Sequence, residues 1–270
     1  MKNDNIFEVK EVEYTYPGNV AALSGISFDV KKGGRIALIG ANGSGKSTLL
    51  AMLDGLIYPD KGSITAFDRK LTEASFNDGD FTKLFRSKIG FVFQNPEIQL
   101  FCPTVREDIA FGPLCMGMEP EEAGKRAEAT AESLGITELL ERPPHRLSIG
   151  EKKKAAIATV LASGPEVMLL DEPTAGLDPM TTRHIVEILQ RASGEGKTII
   201  TATHDLHIVE EIADMVYVLG RDKKIAASGT PEEILGNRRL LDENNLAHAH
   251  GHSHGHENPH THPHIHGENK

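Results

Sequence analysis

A glycine-rich stretch near the amino terminus combines a lysine and a serine in a spacing that suits phosphate binding. It reads Gly40-Ala41-Asn42-Gly43-Ser44-Gly45-Lys46-Ser47 and fits G-x-x-x-x-G-K-[ST]. Glycines let the backbone fold closely around a phosphate, so that successive N–H groups point at it from a helix N-terminus. Lys46 adds a charge toward the β- and γ-phosphates, and the Ser47 hydroxyl can ligate Mg²⁺. We therefore predict an ATP site that comprises Gly40, Asn42, Gly43, Ser44, Gly45, Lys46, Ser47 and Thr48.

Two adjacent carboxylates, Asp171 and Glu172, follow the apolar run Val167-Met168-Leu169-Leu170. A buried strand that ends at this point delivers them to the ligand crevice of an open α/β sheet. Asp171 would hold Mg²⁺, and Glu172 would polarise the attacking water as a general base. Alone, such a run would equally fit an ordinary strand end. Its position downstream of the phosphate loop favours nucleotide chemistry.

Short apolar runs alternate with longer helical patterns through residue 246, which predicts an α/β fold. Buried strands are predicted at 35–39, 167–170, 198–203 and 215–219, and period-two alternation predicts antiparallel strands at 7–12 and 26–30. A helix is predicted after the phosphate loop, and Asp178 and Pro179 are typical of a helix start. A helix-rich insertion is predicted at about 95–165. The expected architecture is a P-loop NTPase core with an antiparallel β subdomain and an inserted helical subdomain.

The composition bounds the function. The chain has 270 residues and a formal net charge of -10, which argues against nucleic acid as a partner. No apolar run is long enough for a membrane span, and no secretory signal is visible. Cys102 and Cys115 form no metal-binding pattern, so we expect reduced thiols in a cytosolic protein.

The segment 247–270 differs from the rest of the chain, because 9 of the 13 histidines lie in it among Gly, Pro and Asn. Its composition cannot bury enough apolar surface to fold, so we predict a disordered tail. Imidazoles suit nickel and cobalt ions, which makes the tail a candidate metal site. The alternative is a solvated low-complexity segment or a purification tag. The histidines are His248, His250, His252, His254, His256, His260, His262, His264 and His266.

Further motifs stand in a fixed order around the phosphate loop and the paired carboxylates. They are Phe93-Gln94-Asn95-Pro96, Leu147-Ser148-Ile149-Gly150-Glu151, Ala175-Gly176-Leu177-Asp178 and Thr203-His204-Asp205. In this order the chain resembles the ATP-binding cassette (ABC) transporter ATPases. The stretch from Phe93 to Pro113 is similar to the ATPase subunits of energy-coupling-factor importers. Together with the tail, it resembles their cobalt/nickel branch most.

The resemblance implies roles for single residues. Tyr16 would stack on adenine, and Gln94 would contact Mg²⁺ and the attacking water. His204 would lie near the γ-phosphate and orient Glu172 and the water. Ser148, Gly150 and Asp178 would contact a nucleotide held by another protomer.

The signature stretch departs from the family's Leu-Ser-Gly-Gly-Gln at two positions. Ile149 replaces the first glycine and Glu151 replaces the glutamine. The branched side chain of Ile149 could crowd a phosphate or point away from it. Glu151 adds a negative charge that Lys152, Lys153 and Lys154 partly offset. We therefore expect hydrolysis to be retained but slowed.

The resemblance also implies an assembly at the cytoplasmic face of the cell membrane. Two ATPase protomers, identical or paralogous, would hold ATP between them and drive an integral membrane coupling subunit and a substrate-binding membrane subunit. One alternative is an importer motor for another solute, such as a vitamin. Others are an ABC ATPase outside transport, acting on DNA or ribosomes, and a histidine-rich metal-storage protein.

Overall fold

The computed structural model describes residues 4–251 and 261–265, with side chains through residue 246. The strands are β1 (Asn5–Tyr16), β2 (Val20–Lys31), β3 (Arg35–Ile39), β4 (Lys61–Ala66), β5 (Arg69–Lys70), β6 (Ile89–Val92), β7 (Val167–Asp171), β8 (Thr198–Thr203), β9 (Met215–Leu219), β10 (Ile225–Gly229), β11 (Ala247–Gly251) and β12 (Thr261–Ile265). The helices are α1 (Lys46–Leu53), α2 (Glu73–Phe76), α3 (Gly79–Lys88), α4 (Val105–Cys115), α5 (Pro120–Ser133), α6 (Ile149–Ser163), α7 (Pro179–Gly194), α8 (Val209–Ile212), α9 (Pro231–Leu235) and α10 (Arg238–Glu243). This alternation confirms the predicted α/β class. Within the described ranges, no helix combines the length and apolar character that crossing a membrane requires.

A six-stranded sheet forms the centre of the fold in the order β10-β9-β3-β8-β7-β6. Its pairs are parallel except at β10, which pairs antiparallel to β9. Consecutive side chains of a strand point to opposite faces, so apolar runs such as β3 fill cores on both sides. Leu38 packs in one core, whereas Ala37 and Ile39 pack in the other. The parallel strands therefore end together at one edge of the sheet.

A second sheet is antiparallel, with four strands in the order β2-β1-β4-β5. Val9 of β1 pairs with Phe28 of β2 on one side and with Ile64 of β4 on the other. These three side chains are buried in the same core as Leu49 of α1. The sheet therefore packs beside the helix that follows the phosphate loop and confirms the predicted antiparallel part of the fold.

Helices α4, α5 and α6 lie between β6 and β7 and pack on one another through small side chains. Ala123, Ala127 and Ala131 repeat every fourth residue on α5 and are fully buried. This spacing places them on one face of the helix, where they share a core with Ile109 of α4 and Ile157 of α6. The helix-rich insertion thus becomes a closely packed layer that carries the start of α6.

The tail differs in part from the predicted disorder. Strand β11 pairs antiparallel with β12, and His248 and His250 lie opposite His264 and His262 in the register. Alternation of histidine with small residues is compatible with extended pairing, because strand hydrogen bonds come from the backbone. The predicted disorder of 252–260 and 266–270 falls outside the described residues.

Candidate functional site

The predicted chemical groups meet at the carboxyl edge of the parallel strands. The phosphate loop follows β3, Glu172 follows β7, His204 follows β8 and Gln94 lies just beyond β6. Strands β3, β8, β7 and β6 are neighbours in the sheet, so residues far apart in sequence are brought to one crevice. This is the location at which open α/β sheets bind ligands.

The phosphate loop wraps tightly before α1 begins at Lys46. Gly43 and Gly45 adopt φ values of 77° and 110°, which side chains rarely tolerate. The Lys46 Nζ atom donates to the backbone oxygen of Gly40 at 2.7 Å, and only 5% of Lys46 is exposed. Burial lowers the pKa of Lys46, while the nearby Glu172 carboxylate opposes that change. The loop therefore holds the Lys46 ammonium group inside the turn, where it could pair with an anionic ligand.

Glu172 is a buried carboxylate between two basic groups. Its Oε1 atom lies 3.6 Å from Lys46 Nζ, and its Oε2 atom lies 2.9 Å from His204 Nδ1. Burial opposes ionisation of Glu172, but the hydrogen bond from His204 and the positive charges outweigh it and lower the pKa of the carboxyl group. The same hydrogen bond raises the pKa of His204. The carboxylate is thus kept ionised, as a general base requires.

Asp171 and Ser47 provide oxygen atoms that suit a magnesium ion. A hydrogen bond joins their side chains, and burial raises the pKa of Asp171. The Asp171 Oδ1 atom is buried with no hydrogen-bond partner among the described residues. Mg²⁺ prefers carboxylate and hydroxyl oxygens together with substrate phosphates, so this donor set fits the ion. Gln94 is exposed and lines the adjacent pocket, where its amide oxygen could add a further ligand.

A cleft of about 380 Å³ extends from the phosphate loop and Glu172 to the end of β1, and neither Asp171 nor His204 lines it. Tyr16 lines it, and its hydroxyl lies 3.1 Å from Thr48 Oγ1. Tyr16 is 41% exposed, so a planar base could contact its ring from the cleft. The sequence-based set lacks Lys223, which also lines the cleft and donates to the Gly43 backbone oxygen at 2.5 Å. No sequence motif predicts that Lys223 contributes to the cleft, because it lies in the turn between β9 and β10, which reaches the phosphate loop only in the folded chain.

Ser148, Gly150 and Asp178 do not line this cleft. Ser148 caps α6, and its hydroxyl donates to Glu151 Oε2 at 2.7 Å. Asp178 caps α7 through the Thr181 N–H group at 2.9 Å. A Cβ atom on Gly150 would lie 2.9 Å from Thr181 Cγ2, so the two helix starts pack closely together. None of these three residues therefore contributes to the cleft of its own chain.

The replaced signature positions have different surroundings. Ile149 is 50% exposed at the first turn of α6, so its side chain projects from the surface. Glu151 accepts hydrogen bonds from both the N–H and the hydroxyl of Ser148, and these bonds lower the pKa of its carboxyl group. Glu151 therefore completes a capping box in which the Ser148 hydroxyl is already engaged.

The sequence was compared with protein families and with known proteins. Residues 23–175 match the family described as ABC transporter. The chain is 49% identical to the nickel import ATP-binding protein NikO of Rhodobacter capsulatus, over 87% of this chain and 93% of that protein. It is 42% identical to the energy-coupling factor transporter ATP-binding protein EcfA of Methanocaldococcus jannaschii, over 89% of this chain and 85% of that protein.

Solved structures match the fold over most of its length. The structure of cbiO1 from Clostridium perfringens, part of the ABC transporter complex cbiONQ, has a TM-score of 0.77 and 38% identity, covering 90% of this chain and 96% of that one. The dimeric structure of the bacterial ABC transporter cassette MJ0796 has a TM-score of 0.75 and 30% identity, covering 83% of this chain and 98% of that one.

Two glycines of the phosphate loop allow a matched stability test. A Cβ atom on Gly45 would lie 2.4 Å from the Ala22 backbone oxygen, whereas nothing lies within 4 Å of one on Gly43. We expect Gly45→Ala to lower the free energy of unfolding by about 2–4 kcal/mol, because overpacking adds to the left-handed backbone cost. Gly43→Ala should cost about 1 kcal/mol. Urea unfolding of the nucleotide-free protein measures both, and equal losses would contradict the packing argument.

Proposed function

The chain belongs to the ABC transporter family, and we propose that it is the ATP-hydrolysing motor of an energy-coupling-factor importer for nickel or cobalt ions. As an ABC ATPase it hydrolyses ATP to drive transport. The observation that best supports ATP hydrolysis at this site is the buried Glu172 carboxylate, which lies between Lys46 and His204 beside the phosphate loop.

The residues in and beside the cleft suggest how ATP would be bound and hydrolysed. Tyr16 would stack on the adenine, and the loop N–H groups with Lys46 would hold the phosphates. Ser47, Asp171 and Gln94 would hold Mg²⁺, which supplies charge neutralisation at the β- and γ-phosphates when bound. Glu172 would accept a proton from the attacking water, and His204 would orient that carboxylate.

A Glu172→Gln substitution tests this assignment because it keeps the shape and removes the proton acceptor. We expect phosphate release to fall by at least about 100-fold, as general-base loss predicts, while ATP binding is retained. In MgATP the variant should accumulate as a dimer in light scattering. Glu187→Gln, on the exposed face of α7, is the control and should behave as wild type. A variant that stays monomeric with MgATP, even beside its membrane partners, would overturn the proposed mechanism.

A second ATPase protomer is needed to complete the proposed site. Ser148 and Gly150 stand at the start of α6, outside the cleft that holds Tyr16 and Lys46. Head-to-tail pairing of two protomers would bring this helix start to the partner's γ-phosphate, at the positive end of the helix dipole. The dimer of the similar cassette MJ0796 supports such pairing. Loss of the γ-phosphate would then separate the protomers.

The exposed Ile149 side chain gives the pairing a testable consequence. In the dimer it would crowd the surface where the partner's phosphate approaches, so Ile149→Gly should raise the hydrolysis rate by up to about tenfold. Ile149→Ala should give a smaller increase in the hydrolysis rate. Because alanine does not weaken the helix as glycine does, this variant separates the loss of the side chain from a loss of helix stability. Phosphate release at saturating MgATP measures both. A slower or unchanged Ile149→Gly enzyme would refute the crowding hypothesis.

A surface groove on this chain offers a binding site for a membrane partner. It has a volume of about 860 Å³ and is lined by α3 and the end of α4, including Leu84, Cys115 and Met116. Phe111 of α4 packs edge to face with Phe101 at 4.9 Å between ring centroids, and the two residues are 45% and 64% exposed. Exposed apolar patches of this kind mark interaction surfaces. We assign the groove to a helix of an integral membrane coupling subunit, which would carry the substrate-binding subunit with it.

The proposed cargo rests on relatives and composition. NikO is named for nickel import, and cbiO1 is part of the cbiONQ complex. The nine tail histidines add a ligand set typical of nickel and cobalt binding. EcfA relatives carry no substrate in their name, so an importer for another solute remains the alternative.

Calorimetry with Ni²⁺ tests the tail directly. We expect the full chain to bind Ni²⁺ and a chain ending at Leu246 to lose that binding, because neutral imidazoles are favoured ligands. A full-length variant in which all nine tail histidines are asparagine is the matched control, since it keeps length and charge. Equal Ni²⁺ stoichiometry in the three proteins would count against a tail site.

A further inference from the structure

Lys153 is a buried lysine that the proposed chemistry does not use. It lies within the run Lys152-Lys153-Lys154 and is 4% exposed, whereas its two neighbours are partly exposed. Lys152 forms an ion pair with Glu97 at the surface. Burial lowers the pKa of Lys153 to about 8. A buried ammonium group needs a specific partner to be retained.

The partner of Lys153 is the backbone of Glu172. The Lys153 Nζ atom donates to the Glu172 carbonyl oxygen at 2.5 Å, and the Ala175 N–H group donates to the same oxygen at 3.3 Å. Glu172 has φ of 47°, a left-handed conformation that is strained for a residue with a side chain. Strain of this kind persists only where surrounding contacts hold it, and Lys153 supplies such a contact from helix α6.

The helix that carries Lys153 begins at the signature residues. Gly150 precedes Lys153 by less than one helical turn, a rise of about 4.5 Å along the axis. The start of α6 also packs against Thr181, which Asp178 holds in place. A displacement of this helix start therefore reaches the Glu172 backbone through one side chain.

We propose that Lys153 is a positioning residue that fixes the backbone of Glu172 and thereby links the two ATP sites of a dimer. This inference rests on the proposed function, in which Ser148 and Gly150 contact the partner's nucleotide while Glu172 acts on the nucleotide of its own chain. ATP held at the start of α6 sets the position of Lys153. Lys153 in turn sets the carboxylate that faces the other ATP. Each site is then fully active only when both are occupied.

Substitutions in the full chain separate this role from general stability. Lys153→Met keeps the length and apolar stem but removes the donor. We expect its kcat to fall by roughly 10- to 100-fold, as loss of a charge-assisted hydrogen bond predicts, with KM for MgATP little changed. The Hill coefficient for MgATP should exceed one in the wild type and fall to one in the variant. Lys153→Arg should restore both, because a guanidinium can also donate to the carbonyl.

Lys152→Met is the matched control, since it removes a neighbouring lysine that contacts Glu97 instead. It should retain the wild-type kcat and Hill coefficient. Unchanged kinetics in Lys153→Met, a change in KM alone, or an equal loss in Lys152→Met would overturn the proposal. If Lys153→Met does not fold, Lys153→Leu decides the question, because it also lacks the donor: a reduced kcat with a Hill coefficient of one would match, and wild-type kinetics would contradict the proposal. A wild-type chain without ATP hydrolysis would overturn the proposed function itself.

Discussion

The buried charges around Glu172 are the constraint on which the site depends. A carboxylate that is only 5% exposed would be costly without partners, and Lys46 and His204 provide them. Lys46 is also the cation that an ATP phosphate would take as its partner. In the proposed mechanism, nucleotide binding would therefore redistribute charge within an existing cluster. An arriving phosphate would draw Lys46 away from the ionised Glu172, and the hydrogen bond from His204 would keep that carboxylate oriented.

The six-stranded sheet makes this cluster possible because it is parallel. Residues 40–47, 171–172 and 203–204 are far apart in sequence, yet each group lies at or just beyond the end of a strand at the same edge. Strands β7 and β8 are buried along their whole length, and the loops beyond the strand ends would carry the proposed chemistry. The antiparallel sheet adds Tyr16, and the helical layer adds α6. In the proposed mechanism, three layers would thus contribute to one reaction without any of them containing the whole site.

Much of this could be predicted from the sequence, because the signals were local. Apolar runs predict β3, β7, β8 and β9, which the structure confirms. Glycine spacing predicts the tight turn at Gly40–Ser47 before α1, and phosphate binding there stays a prediction. Lys223 escaped prediction because its place depends on how a turn between two strands meets the phosphate loop. Lys153 carries a weak signal, since it lies four residues before the buried Ile157 on the same helix face. Its contact with Glu172 comes from tertiary packing, which no spacing in the sequence reports.

At the start of α6, the carboxylate that caps the helix occupies donors that a phosphate from a partner protomer would also need. Glu151 neutralises this helix N-terminus, because its carboxylate accepts the Ser148 N–H and hydroxyl groups. A phosphate that approaches from a partner protomer needs the same donors and meets the same negative charge. The lowered pKa of Glu151 means that protonation does not remove the charge near neutrality. In the proposed dimer, closure around ATP would therefore require the γ-phosphate to compete with the Glu151 carboxylate that already occupies the Ser148 donors.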